Sequence, residues 1–355
     1  MSARLVILPC LLLWGLCACS QHAGAADLYT GEALVVSAEE RLARTTLRAL
    51  DEVLTRLTGI TDRSLVEELG VTEGDLRLLV LSEQRVRRQR PGPVDRPIDR
   101  PSEQGVVDEL RLRVDFDPAG VDRLLAANDL ARLGRERPTV LLWLAVERDF
   151  ELELQGDAAL EYTIVEQARR LGLDVVRPLA DLLDLGDIET FDIRGGFLDS
   201  AEPSARRYGA GVIAMLDLRE LDQGWSARWS WRLDGKDDGA QYEVDDAGSA
   251  IQSGLERILA AMAERFAVAA DAEPGGELRV VVDGIADEAQ YAEVVRYLGS
   301  LGIVADVRVI AARGRTIEFE LALASAGLED ALAIGGVLAV DGRAADGRLL
   351  LRLLR

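Results

Sequence analysis

The chain has 355 residues, and 48% of them are hydrophobic, which is enough to fill the cores of two or three domains. Its 62 acidic and 41 basic residues give a net charge of −21, so nucleic acid and anionic lipid would not attract it electrostatically. The one histidine is His22 and the last cysteine is Cys19, which excludes histidine- or cysteine-dependent catalysis and the usual zinc sites from the rest of the chain. We therefore expect no catalytic residue, no metal and no cofactor.

The first 26 residues have the features of an export signal. Arg4 precedes an apolar run at residues 5–16, which is shorter than the roughly 20 residues that a membrane-spanning helix needs. Two cleavage patterns are open. Leu16-Cys17-Ala18-Cys19 resembles a bacterial lipobox and predicts lipidation of Cys19, whereas Ala23-Gly24-Ala25 fits ordinary signal peptidase. Both patterns predict a periplasmic protein, and the first predicts an outer-membrane lipoprotein.

The sequence after this signal divides into three blocks. The first, residues 27–149, has the predicted order β-α-β-β-α-β with one extra helix, and a loop rich in proline and arginine at residues 89–105. It ends in an unbroken apolar run at residues 139–146, which is typical of a strand buried on both faces. We assign this block to an N-terminal α+β domain.

The second block, residues 150–270, predicts a middle α/β domain. Residues 211–218 are apolar apart from Asp217, and residues 225–233 alternate apolar with polar side chains, so both segments predict strands. Between the helices of this block, residues 179–185 predict a short helix and residues 187–204 predict a glycine-containing loop.

The third block, residues 276–355, again has the predicted order β-α-β-β-α-β. The fold class is therefore α+β, with three small α/β-sandwich domains. The first and third of these domains are expected to have the ferredoxin-like order.

Four segments carry a resemblance to a known family: TLRALDEVLTRLTG, RPTVLLWLAV, YGAGVIAMLDL and WSARWSWRL. Together they resemble an uncharacterised proteobacterial family, domain of unknown function 2066. The resemblance covers most of the chain and implies an exported, periplasmic protein without implying an activity. The middle block is also similar, in the order of its elements, to α/β domains of periplasmic lipoproteins that act in secretion and envelope assembly, which implies binding and assembly.

Three tryptophans, Trp225, Trp229 and Trp231, share one face of the predicted strand at residues 225–233. Aromatic rings on one face could form a binding face that stacks on sugar rings or receives an apolar partner. The same alternation is what a half-buried strand needs to pack against a helix, and this second interpretation is favoured.

The predicted loop offers a basic patch on an acidic protein. Arg87, Arg88 and Arg90 could bind an acidic partner or a phosphate, since a guanidinium group pairs well with both. The alternative, which we favour, is a mobile loop in which Asp95 and Asp99 are interspersed among the arginines.

Acidic residues suggest two further kinds of site. Residues 234–245 partly match a calcium-binding loop, but Lys236 stands where a ligand is required, so a hairpin turn is favoured. With 62 acids, a pair of carboxylates at the separation that glycosidases use could also arise, although no acid lies in a recognisable catalytic motif.

These observations lead to one favoured function and two alternatives. We expect a non-catalytic periplasmic adaptor or assembly protein that binds another envelope protein. The first alternative is a cell-wall or glycan-binding or glycan-hydrolysing protein that uses paired carboxylates. The second is a structural subunit whose exposed strand edges pair between copies in an oligomer.

Overall fold

The computed structural model describes residues 28–37, 42–91, 106–269, 275–324, 327–332 and 336–354. Within these residues the strands form three sheets, and helices pack against them, so the mixed α+β class is confirmed. No helix in this part of the chain is long and apolar enough to cross a membrane.

The first sheet has three antiparallel strands in the order β1-β3-β2. Helix α1 packs on it through apolar residues spaced three and four apart, as an amphipathic helix requires; Ala49, Leu50, Val53, Leu54 and Leu57 are all fully buried. The elements are β1 (Thr30–Leu34), α1 (Leu42–Thr58), α2 (Leu65–Glu68), α3 (Glu73–Leu79), β2 (Val80–Pro91), β3 (Val106–Phe116) and α4 (Pro118–Ala127).

The second sheet has the order β5-β4-β7-β8-β9, and the short β6 also pairs with β4. Helices α5 and α9 cover one face, while α7, a 3-10 turn and α8 cover the other. The elements are β4 (Val140–Arg148), β5 (Glu151–Leu154), α5 (Ala158–Leu171), β6 (Val175–Val176), α6 (Asp184–Asp187), α7 (Thr190–Gly195), the 3-10 turn (Leu198–Ala201), α8 (Glu202–Tyr208), β7 (Val212–Glu220), β8 (Trp225–Leu233), β9 (Lys236–Val244) and α9 (Ala247–Phe266).

The strand that the sequence assigned to the end of the first block lies in this second sheet. β4 pairs in parallel with β7, so the first sheet lacks the fourth strand of the ferredoxin-like order predicted for it. The reason is burial. Every residue from 140 to 146 is at most 1% exposed, and a strand buried on both faces needs a sheet with a helical layer on each side.

The third sheet has five strands in the order β11-β12-β10-β14-β13, and only the β10–β14 pair is parallel. Helix α10 connects β10 to β11, and α11 follows β12. The elements are β10 (Gly276–Asp283), α10 (Glu288–Ser300), β11 (Val304–Arg313), β12 (Thr316–Leu323), α11 (Leu328–Leu332), β13 (Leu338–Arg343) and β14 (Leu349–Leu353).

The outer edge of β1, where a fourth strand would pair, is sealed by side chains of α1. Arg48 donates to the Leu34 carbonyl at 2.6 Å, and Glu52 accepts from the Glu32 N–H at 3.3 Å. Arg56 donates to the carbonyls of Leu28 and Thr30 at the start of the strand. Residues 48, 52 and 56 are one helical turn apart, so a single face of α1 satisfies the edge that would otherwise be open to another strand.

Arg56 is completely buried and connects the first sheet to the second. One Nη donates to the carbonyls of Leu28 at 3.3 Å and Thr30 at 2.8 Å, and the other pairs with Glu52 at 2.8 Å. Its Nε donates to the carbonyl of Arg170 in the last turn of α5 at 3.0 Å. Each group of the guanidinium thus has a partner, as a buried charge requires.

A second buried arginine, Arg137, lies beside the first. It donates to the Arg56 carbonyl at 2.7 Å and to those of Leu171 at 3.0 Å and Gly172 at 3.2 Å. Burial and, to a smaller extent, the charge of Arg56 together lower the pKa of Arg137 to about 9. The group therefore stays protonated at neutral pH, held by carbonyl oxygens at the C-terminal ends of α1 and α5.

Two glycines permit close backbone contacts at this junction. A Cβ on Gly172, whose φ is +63°, would lie 2.7 Å from the Arg56 side chain. A Cβ on Gly134 would lie 2.4 Å from the backbone nitrogen of Gly302, which follows α10. Nearby, the N–H groups of Arg135 and Glu136 donate to the Ser300 carbonyl, so the third sheet joins the other two at the same segment.

Replacing Arg56 should destabilise the protein strongly. Arg56→Met keeps the apolar stem but removes the guanidinium from the buried Glu52 carboxylate and from several buried carbonyls, so we expect a loss of about 3–5 kcal/mol in the free energy of unfolding. Arg85, exposed on β2 and without an ion pair to the described residues, supplies the control; Arg85→Met should change stability by less than about 0.5 kcal/mol. Urea unfolding followed by circular dichroism measures both, and equal effects of the two variants would contradict this role.

Candidate functional site

The predicted lipidation residue, Cys19, lies outside the described residues, as does the rest of the signal region. The structure therefore leaves the choice between the two cleavage patterns as the sequence left it.

The tryptophan face is part of the core. Trp229 and Trp231 are each 1% exposed beneath α9, and the Trp229 indole N–H donates to the Ala250 carbonyl at 3.1 Å. Trp225 is half-buried at the end of the same face, with the Arg148 guanidinium 5.3 Å from its ring centroid. The hypothesis that this face binds a ligand is wrong, because α9 already occupies the surface that a ligand would need.

Two of the three predicted loop arginines are paired within the protein. All three lie on β2, before the part of the loop that falls outside the described residues. Arg88 pairs with Glu32 at 2.8 Å and Arg90 with Glu109 at 2.7 Å. Burial alone would raise the pKa of Glu32, but the hydrogen bond from Arg88 and the nearby arginine charges hold it below its usual value.

These pairs belong to a continuous network between the first sheet and α5. It alternates arginine and glutamate, with neighbouring groups 2.7–3.4 Å apart, so each charge is neutralised by the next. In order along the network, its members are Arg90, Glu109, Arg111, Glu166, Arg169, Glu32 and Arg88. Arg88 and Arg90 are therefore structural, and of the predicted patch Arg87 is left without an ion pair to the described residues.

A cleft of about 570 Å³ lies beside this network. Its walls include Arg87, Asp108 and Tyr162, and the Tyr162 hydroxyl is buried without a hydrogen-bond partner in the described residues. Burial and the charge of Glu166 raise the pKa of Tyr162. The cleft mixes one unpaired arginine with acidic groups, and therefore selects no single charge of ligand.

The acidic turn is a hairpin turn, as the sequence favoured. Asp234 and Gly235 connect β8 to β9, and Arg265 pairs with Asp234 at 2.6 Å. Across the part of the chain that the structure describes, no cluster of three or more acidic, histidine or cysteine side chains could hold a metal ion.

One pair of carboxylates does come together in the second sheet. Glu147 and Asp217 lie near the carboxyl ends of the parallel strands β4 and β7, and Arg194 of α7 approaches them at 2.8 Å and 3.7 Å. Burial raises the pKa of Asp217, and the surrounding arginine charges oppose that rise. Because Arg194 bridges the two acids, the arrangement is that of a buried ion cluster rather than of a general acid facing a substrate.

A different feature stands out on the same face of the second sheet. Four leucines within seven residues point into solvent: Leu179, Leu182, Leu183 and Leu185 are 73%, 91%, 69% and 46% exposed. We call residues 179–185 the leucine turn. Phe191 and Phe197 follow it and are 71% and 62% exposed. Leaving one such side chain in water forgoes roughly 1.5–3 kcal/mol relative to burial, so a cluster of this kind indicates an interaction surface.

The leucine turn is held in place by its acids, which point inward. Asp184 is 1% exposed and accepts hydrogen bonds from Tyr208 at 2.8 Å and Arg207 at 3.0 Å. Asp181 accepts from Arg207 and from the Leu183 N–H, and the Arg207 hydrogen bonds hold the pKa of Asp181 well below its usual range. Polar groups therefore anchor the segment to α8 while its leucines face outward, the reverse of the usual distribution.

The sequence did not identify this surface. Residues 179–185 were predicted to be helical, but the helix α6 begins only at Asp184 and ends at Asp187. The predicted loop at residues 187–204 instead contains α7, the 3-10 turn and the start of α8. A usable signal was present: Asp181-Leu182-Leu183-Asp184-Leu185 places adjacent leucines between two acids, outside any predicted strand.

No family model, curated protein or solved structure matches this chain in the comparisons made with each of those groups. The resemblance to domain of unknown function 2066 therefore stays a prediction. Any function must be argued from the surface described above.

The raised pKa of Asp217 predicts a specific pH dependence of stability. The folded protein holds the Asp217 proton more tightly than the unfolded chain, whose aspartate pKa is about 4, so this residue costs stability as the pH rises above that value. Asp217→Asn removes the titration. The unfolding free energy of the variant relative to the native protein should therefore increase between pH 4 and pH 7 in urea titrations, and a constant or decreasing difference would contradict the assignment.

Proposed function

We propose that the protein is a non-catalytic adaptor or assembly factor that binds another protein through the leucine turn. The observation that supports this function is the reversed polarity of residues 179–185, where Asp184 is 1% exposed and Leu182 is 91% exposed. A protein–protein interface needs exposed apolar side chains that are already held in position, because ordering them on binding would cost affinity. Asp181, Asp184 and Arg207 supply that preorganisation.

We also propose a periplasmic location, an export signal at residues 1–26 and three domains built around the three sheets. The strand order β11-β12-β10-β14 agrees with a ferredoxin-like C-terminal domain, but the extra strand β13 precedes β14 and makes the β10–β14 pair parallel, so this domain departs from the fully antiparallel arrangement. The sequence resemblances to domain of unknown function 2066 and to periplasmic assembly lipoproteins agree with an envelope role, and any envelope partner belongs to this proposal.

The glycan-active alternative has one supporting observation, the Glu147–Asp217 pair with its raised pKa at Asp217. A retaining or inverting glycosidase must place its two carboxylates on either side of the scissile bond. Arg194 lies between them here, and its side chain is only 22% exposed. The pair therefore gives less support to catalysis than the leucine turn gives to binding.

Crosslinking at the leucine turn tests the binding function. A benzophenone amino acid at position 182 should give discrete adducts of higher mass on irradiation in the cells that express the protein, because this side chain would lie inside the interface. Position 78 is the matched control, since Leu78 is 80% exposed in α3, far from the turn in the sequence. Adducts at both positions alike, or at neither, would contradict a docking role of the turn.

Metabolic labelling tests the membrane anchor. If Cys19 is lipidated, the native protein should incorporate radiolabelled palmitate and fractionate with the outer membrane, whereas Cys19→Ser should do neither. Intact mass provides the second readout. A mature chain that begins after Ala25 and carries no label would contradict the lipoprotein proposal and leave a protein released into the periplasm.

A further inference from the structure

We propose that the leucine turn binds a cationic amphipathic segment of a second polypeptide. This inference rests on the proposed binding function and adds the chemistry of the partner. It follows from the charges that accompany the exposed apolar side chains.

The exposed surface that follows the leucine turn is acidic. Residues 186–197 contain three acids and one base, Arg194. Asp187 and Glu189 are exposed and make no ion pair with the described residues. They lie between the exposed side chains of Leu185 and Phe191, so negative charge borders the apolar surface.

Among the arginines near this segment, Arg194 and Arg207 are engaged by other acids, whereas Arg228, exposed on β8, donates to the Arg194 carbonyl at 3.3 Å. Arg194 is directed inward, 2.8 Å from Glu147, and its side chain is 22% exposed. Arg207 forms a bidentate pair with Asp181 and also contacts the buried Asp184. The guanidinium groups of Arg194 and Arg207 are therefore engaged by other acids, and a partner would meet apolar groups together with the carboxylates of Asp187 and Glu189, which form no ion pair with the described residues.

The same charges argue against two other occupants. A second copy of the chain would bring net charges of −21 and −21 together and would set acid against acid at the turn. An anionic bilayer would be repelled for the same reason. A positively charged segment with an apolar stripe satisfies both features of the surface, in the way that an amphipathic helix occupies an apolar groove.

The test uses two short labelled peptides with the same leucine stripe, one with lysine and one with glutamate on the polar face. Fluorescence anisotropy with the full chain at about 0.1 M salt, where the Debye length is roughly 10 Å, measures the affinity for each. We expect the lysine peptide to bind at least about tenfold more tightly than the glutamate peptide, with the difference shrinking as salt is raised.

Two pairs of substitutions separate the apolar from the electrostatic contribution. Leu182→Ser combined with Leu183→Ser leaves the charge of the protein unchanged and should lower its affinity for the lysine peptide by about tenfold or more. Asp187→Asn with Glu189→Gln keeps the leucines and should remove most of the preference for lysine over glutamate. Leu78→Ser, an equally exposed leucine on α3, should leave both affinities as they are. All of these side chains are exposed, and circular dichroism verifies that each variant is folded.

The outcomes that overturn the inference differ from those that overturn the proposed function. If both peptides bind equally and both lose affinity in the leucine variant, the turn is an apolar docking site and the cationic partner is wrong. If the leucine variant binds as the native chain does, the docking function itself fails. Two further results would overturn the inference. One is cosedimentation with phosphatidylglycerol vesicles that is lost in the Leu182→Ser, Leu183→Ser variant. The other is a dimer in analytical ultracentrifugation that is lost in the same variant.

Discussion

Two buried guanidinium groups at the C-terminal ends of two helices hold the first two sheets in their relative positions. Arg56 and Arg137 donate to carbonyls in the last turns of α1 and α5, where the helix dipoles place partial negative charge. Within the described residues Arg137 donates to backbone oxygens and has no carboxylate partner, yet its pKa of about 9 keeps it charged at neutral pH. Oriented carbonyl groups thus replace water around a charge that would otherwise be too costly to bury.

Local patterns in the sequence predicted much of the secondary structure, since apolar periodicity reports burial directly. The run at residues 139–146 and the alternation at residues 225–233 both became strands with the expected faces buried. The membership of a strand in a sheet was not predictable in the same way, because β4 pairs with β7 about seventy residues later. Nor does any local rule place Arg56 and Arg137 inside the protein, since their partners come from three separate elements.

The candidate site also contains features that the local sequence predicts and features that only distant residues determine. Trp229 and Trp231 lie in the core, as the sequence favoured, but Arg88 and Arg90 lie on a strand and pair with acids of β1 and β3, which the sequence did not predict. The leucine turn was missed because its apolar residues have a spacing that also fits a buried helix. Which side of that segment faces inward is decided by Arg207 and Tyr208, more than twenty residues further along the chain.

The contact between Gly134 and Gly302 has a consequence for how this protein can be divided. Backbone meets backbone there, so a side chain at either position would force the two segments apart. A chain truncated before β10 would leave the N–H groups of Arg135 and Glu136 without the Ser300 carbonyl that accepts from both. The C-terminal sheet is consequently a poor candidate for excision or transplantation, and fragments designed for expression should keep the segment around Gly134 together with α10.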